Sequence, residues 1–227
     1  MKIENIFEII EPRVSHRKYR GRFNRRGNNY SHRKETSFGN RGNGAFGYVT
    51  NDKNDPHMIK KTTRSAVKRE YKDGYWGYVE KIIEHKLWEN PYFPRIYKKA
   101  SIEDKDEDIF DRVVMEKLEE FDIIDKKPRD VDALFRKIFG DNARVEHTEL
   151  LSYELAEIVF EYVMTGHVPG YISVDEQEFD TNFVKAVDIL KDIGGDREKF
   201  AWDLRKDNMM LRRGPHGFQL VFTDPFA

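Results

Sequence analysis

Between residues 46 and 118 short apolar stretches of strand character flank one segment of helical spacing, and in much of the second half apolar residues recur at every third or fourth position. Phe46–Thr50 and His57–Lys61 read as strands on either side of the polar turn Asn51–Pro56. A long helix is predicted over residues 65–89, with Tyr75, Tyr78, Val79, Ile82, Ile83, Leu87 and Trp88 on its apolar side, and Asn90-Pro91 ends it. Phe93–Ala100 and Arg112–Leu118 read as two further strands around the acidic turn Glu103–Asp111. Helical periodicity then covers 129–139, 148–165 and 180–193 before the chain returns to strands at Met209–Arg212 and Gln219–Thr223. Residues 2–11 suit a short helix or a strand, whereas residues 13–43, rich in Gly, Asn and Arg, read as loop. Strands followed by helices predict an α+β fold in two lobes, with the boundary near residue 119. The division is an N-terminal segment (1–38), a β-rich lobe (39–118) and a helical lobe (119–227).

Composition adds limits. Sixteen Phe and eleven Tyr supply material for a core although 36% of the residues are charged. With no Cys, the chain has no disulfide, thiolate metal site or cysteine nucleophile, which suits a reducing compartment. No apolar run has the quality of a signal peptide or a membrane span, so a cytoplasmic protein with no membrane partner is expected. The net charge of -1 conceals an asymmetry: residues 1–41 carry eleven Lys/Arg against four Asp/Glu, and the remainder is acidic. Between Arg13 and Arg41 the basic arm interleaves Tyr19, Phe23 and Tyr30, a mixture suited to nucleic acid, a nucleoprotein or an acidic partner.

Gly42, Gly44, Gly47 and Val49 fit the pattern G-x-G-x-x-G-x-V. Backbone N–H groups close on phosphate oxygens only where no Cβ intervenes. A dinucleotide fold would need a preceding strand and a following helix, and a Walker loop would need Gly-Lys-Ser/Thr; neither context is present. A hairpin over phosphates fits instead. Lys60, on the returning strand, is the candidate phosphate ligand, with Ile59 packed on the opposite face. Glu84, and after it Glu80, are the helix carboxylates placed to hold that lysine.

Near the C-terminus Asp203 and Asn208 stand in D-x-x-x-x-N spacing before one apolar strand, and Asp224 ends a second. Asn208 and Asp224 offer the hard oxygen ligands that Mg²⁺ or Mn²⁺ prefers. Asp203 is the candidate to take or orient a hydroxyl proton, and Arg205 to neutralise charge on a transferring phosphoryl group.

In order, Gly42–Val49, Lys60, Met115–Leu118, Asp203–Asn208 and Asp224 resemble the glycine loop, strand lysine, gatekeeper and hinge, catalytic loop and metal-binding acid of protein kinases. The endings AWDLRKDNMML and VFTDPFA resemble those of the small serine/threonine kinases encoded by lytic bacteriophages. That resemblance implies a bilobal kinase-like fold cut short after Asp224, ATP and Mg²⁺ (or Mn²⁺) as cofactors, and host proteins as substrates in the host cytoplasm. It also implies that Met115 is the gatekeeper and that Glu116 and Leu118 offer backbone groups to adenine. Ala201-Trp202 stands where the family has His-Arg, so no arginine there reads a phosphorylated loop. The competing readings are a small-molecule kinase and a kinase-fold binding module acting through its basic arm.

Overall fold

The computed structural model describes residues 40–44, 47–64, 74–103, 109–146, 149–195 and 201–226. The first glycine-loop turn residues, the basic arm up to Gly39 and the first segment of the expected long helix lie outside them. The fold is mixed α+β.

Five antiparallel strands form the first sheet: β1 (Asn40–Gly44), β2 (Gly47–Asn51), β3 (Met58–Arg64), β4 (Ile96–Glu103) and β5 (Ile109–Glu116), in the order β1-β2-β3-β5-β4. β1 corrects the expectation of loop up to residue 43, for Asn40 pairs with Thr50 and Gly44 with Gly47. Its Gly/Asn composition carries no strand signal; pairing with β2 makes it a strand. Between β3 and β4 runs α1 (Gly74–Glu84), followed by a short 3₁₀ turn at Leu87–Glu89. Tyr75, Tyr78, Val79 and Ile82 recur at helical spacing and are all buried.

β6 (Glu119–Glu120) leaves the first sheet and pairs with β9 (Met209–Gly214), which in turn pairs with β10 (Gly217–Phe222). Around this three-stranded sheet lie α2 (Pro128–Phe139), α3 (Ser152–Thr165) and α4 (Thr181–Gly194), close to their expected spans; β7 (Arg144–Val145) and β8 (Ile172–Ser173) form a small separate pair. α2 starts with Pro128 in its first turn and buries Val131, Leu134, Phe135 and Ile138 at helical spacing. At its end Gly140 has φ +100°, and a Cβ there would lie 2.5 Å from Cβ of Glu178. Only glycine fits that turn. Asp180 caps α4 by accepting a 2.8 Å hydrogen bond from the Asn182 N–H.

Phe139, Tyr162, Phe179, Phe183, Tyr92 and Phe222 pack ring against ring through this core. The cluster joins the helices to β10 and to the segment ahead of β4, and so fixes the strand that ends at Asp224. No helix among the described residues is long and apolar enough to cross a membrane.

Candidate functional site

The register between β2 and β3 sets Val49 opposite Lys61 and Thr50 opposite Lys60. Lys61 also stands opposite Val113 on β5, and Ile59 opposite Met115. Side chains alternate along a strand, so Val49, Lys61, Val113 and Met115 share one face of the sheet and Lys60 takes the other. The side-chain contacts agree. Lys60 Nζ lies 2.8 Å from Asp52 Oδ2, while Lys61 Nζ lies 2.6 Å from Asp224 Oδ2. The lysine that meets the C-terminal acid is therefore Lys61, which corrects the choice of Lys60. Met58 and Ile59 are both apolar, so composition does not reveal the phase; the register with Val49 does.

The partner of Lys61 on α1 also differs from the one expected. Its ammonium stands 3.4 Å from the centre of the Tyr75 ring, a cation–π contact. Glu84 is exposed and pairs with Lys81 at 3.0 Å, which holds its carboxyl below the usual range. Glu80 pairs with Lys99 at 3.1 Å. Each acid is paired with a lysine other than Lys61, while Tyr75, Tyr78, Val79 and Ile82 form the buried side of α1. α1 thus presents a ring to the lysine rather than a carboxylate.

Two loops close on each other at the far end of β10. The Asn208 carbonyl accepts from the Thr223 N–H at 2.9 Å, the Thr223 hydroxyl at 2.8 Å and the Asp224 N–H at 3.3 Å. The Asp203 N–H donates to the Pro225 carbonyl at 2.9 Å, and Trp202 forms a β-bridge with Phe226, their rings 4.9 Å apart. Asp203, Asn208 and Asp224 are brought together in this way. Asn208 Nδ2 donates to the Asp203 carbonyl at 2.5 Å and to Asp203 Oδ2 at 3.0 Å. Arg205 grips the same carboxylate, with Nε 2.8 Å from Oδ1 and an Nη2 hydrogen bond of 2.9 Å to Oδ2. Beneath them the Tyr78 hydroxyl donates 2.7 Å to the Phe222 carbonyl. Burial, and next the charge of Asp224, push the Tyr78 hydroxyl's pKa well above its ordinary value, so it remains a donor.

Met115 is buried, and the Tyr75 hydroxyl reaches its Sδ at 3.8 Å. Glu116 is buried as well, with its carboxylate committed to structure. It accepts from Arg212 Nε at 2.8 Å, from Arg212 Nη2 and from the Arg95 N–H at 2.8 Å. Arg212 also donates to the carbonyls of Pro91 at 2.7 Å and Phe93 at 3.0 Å. Leu118 is buried at the point where the chain passes from β5 to β6. Gly42 and Gly44 fall in β1 and Gly47 in β2, so the glycine pattern spans a hairpin next to β3. Lys61, Tyr75, Tyr78 and Arg212 are the residues that sequence reasoning missed.

Among the described residues no group of three or more His, Cys, Asp or Glu gathers as a ready-made metal cage. Asp224 and Asn208 provide one carboxylate and one amide oxygen. That sparse, all-oxygen set fits Mg²⁺, which keeps waters and takes substrate phosphates as its other ligands. A cavity of about 420 Å³ opens elsewhere, against α2 and the start of β7, and contains none of these residues. Comparison of the chain with protein-family models and with curated proteins gives no match.

Proposed function

We propose that the chain is an ATP-dependent phosphotransferase of the protein-kinase type, acting on serine or threonine hydroxyls of host proteins as the small phage-encoded kinases do. In this reading the β-sheet with α1 is the nucleotide-covering lobe and the helical part is the catalytic lobe. The observation that carries it is the convergence of Lys61, from the sheet, on Asp224, with Asn208 and Asp203 bonded behind it. These residue types in this order have a shared chemical purpose in phosphoryl transfer.

Lys61 binds nucleotide phosphates as a point charge, held in place by the Tyr75 ring. The glycine hairpin offers backbone N–H groups above it, and Val49 and Met115 offer apolar contact to the base. Asn208 and Asp224 hold the divalent ion. Bound with that ion, ATP supplies the γ-phosphoryl group and a leaving β-phosphate oxygen. Asp203, fixed by Arg205 and Asn208, orients the acceptor hydroxyl and takes its proton as the new O–P bond forms and the old one breaks. Arg205 lies beside the carboxylate that does this work.

The test is purified protein with labelled ATP and Mg²⁺, with and without host lysate. Label should appear on the protein itself or on host bands, and Mg²⁺·ATP should raise the melting temperature. The absence of both label and thermal shift at millimolar nucleotide would refute the reading.

A further inference from the structure

Leu151, Tyr153, Phe160, Met164 and Tyr171 are the exposed large apolar side chains among the described residues. Three of them share one face of α3. Tyr153, Phe160 and Met164 sit at i, i+7 and i+11 along α3, which places them in one stripe on the side opposite buried Leu155, Ile158 and Val159. Leu151 precedes the helix. The same surface carries Glu154, Glu157 and Glu161, one turn apart. Tyr171 lies against these acids: partial burial, then the charges of Glu161, Glu157 and Glu154, raise its hydroxyl's pKa. Tyr153 contacts Glu154 at 3.4 Å. An apolar stripe with an acidic margin on an otherwise polar surface marks a contact site.

Its chemistry specifies the occupant. A second copy meeting it about a two-fold axis would set the same three carboxylates near one another. What fits is a segment that alternates positive charge with aromatic rings. Residues 13–38 of this chain carry nine Lys/Arg against the single acid Glu35, with Tyr19, Phe23, Tyr30 and Phe38 among them. Reach does not limit the contact: 26 residues span up to about 85 Å when extended, against a diameter of roughly 45 Å for a domain of this size.

We propose that the basic segment 13–38 docks on the acid-margined apolar stripe of α3 in its own chain, its arginines and lysines against Glu154, Glu157 and Glu161 and its aromatic residues against Tyr153, Phe160 and Met164. The proposal stands independently of the phosphotransferase reading. Docking keeps the exposed stripe from water and engages the arm, so any nucleic acid or acidic partner that binds the arm must compete with α3.

Zero-length carbodiimide coupling of the full chain tests it, since Lys18 and Lys34 are the arm's amines. Products within the monomer should join one of them to Glu154, Glu157 or Glu161. They should fade at high salt, where exposed charges are screened. In Glu157→Lys/Glu161→Lys arm–α3 products should fall at least tenfold, and trypsin should cut between Arg17 and Arg26 about tenfold faster. Phe160→Ser, which retains every charge, should show the same change to a smaller extent, and circular dichroism checks that both variants remain folded. Coupling found only in dimers assigns the stripe to a second copy and overturns the proposal. So does an absence of arm–α3 coupling in the parent, or equal trypsin rates in the parent and both folded variants.

Discussion

Lys61 Nζ and Asp224 Oδ2 are 2.6 Å apart although 163 residues separate them in sequence. The contact joins the middle of the first sheet to the end of β10, and its lysine is the neighbour of the one expected from the sequence. Lys61→Met should therefore reduce phosphotransfer by about 100-fold or more, the scale of removing a preorganised charge partner. Lys60→Met breaks only the partly exposed pair with Asp52, a type of contact that contributes little. It should leave activity within about twofold of the parent. Initial-rate assays on the two variants decide which lysine serves the site, and a larger loss in Lys60→Met would reverse the assignment.

Asp203 and Asp224 are close together yet face different partners. Asp203 is gripped by Arg205 and Asn208, whereas Asp224 meets Lys61. Asp203→Asn should remove phosphotransfer by a factor of about 10² to 10⁴ and leave metal-dependent nucleotide binding in place. Asp224→Asn should weaken that binding itself. Calorimetric titration with Mg²⁺ and a non-hydrolysable ATP analogue separates the two, and equal activity in Asp203→Asn and the parent would contradict the role given to Asp203.

Gly194 supports the site from behind. A Cβ at that position would lie 2.6 Å from the Trp202 ring and 3.0 Å from Phe226. These two residues form the bridge next to the Asp203–Pro225 hydrogen bond. Gly194→Ala should cost about 1–3 kcal/mol through overpacking and lower activity more than nucleotide affinity. Adding Trp202→Leu should restore part of the stability. Thermal melts and rates on the single and double variants check both statements; a fully stable, fully active Gly194→Ala would refute them.

Arg212 and Glu116 form a largely buried ion pair. Arg212→Ala leaves the Glu116 carboxylate and two carbonyls without the guanidinium and should destabilise by about 3–5 kcal/mol. Replacing both charges, as in Arg212→Met/Glu116→Leu, should recover much of that loss, because the desolvation of each ion goes with it. Urea unfolding of the three proteins gives the comparison. A double variant less stable than Arg212→Ala would be the contrary result.

Local periodicity made α2, α3, α4 and the β9–β10 pair legible in the sequence, because each has its own apolar spacing. Asp203, Asn208 and Asp224 were legible too, since a loop between two short strands brings them together without distant help. β1 was not, as its Gly/Asn run becomes a strand only through pairing with β2. The lysine and helix-acid assignments depended on strand phase and helix rotation, which adjacent apolar residues leave undetermined. Tyr75 beside Lys61 and Arg212 on Glu116 are contacts between distant segments, and no local pattern announces them.

Arg212 ties three separate stretches of chain at one point: the end of β5 through Glu116, and the segment before β4 through the carbonyls of Pro91 and Phe93. Its own strand, β9, belongs to the other sheet. The two sheets are thus riveted at this place, with Lys61 and Asp224 meeting at another. The planar Arg212 guanidinium presents its donors in a fixed fork, and here they meet one carboxylate and two carbonyls together. In the proposed reading a nucleotide would enter at the Lys61–Asp224 join, while Arg212 holds the two sheets together elsewhere.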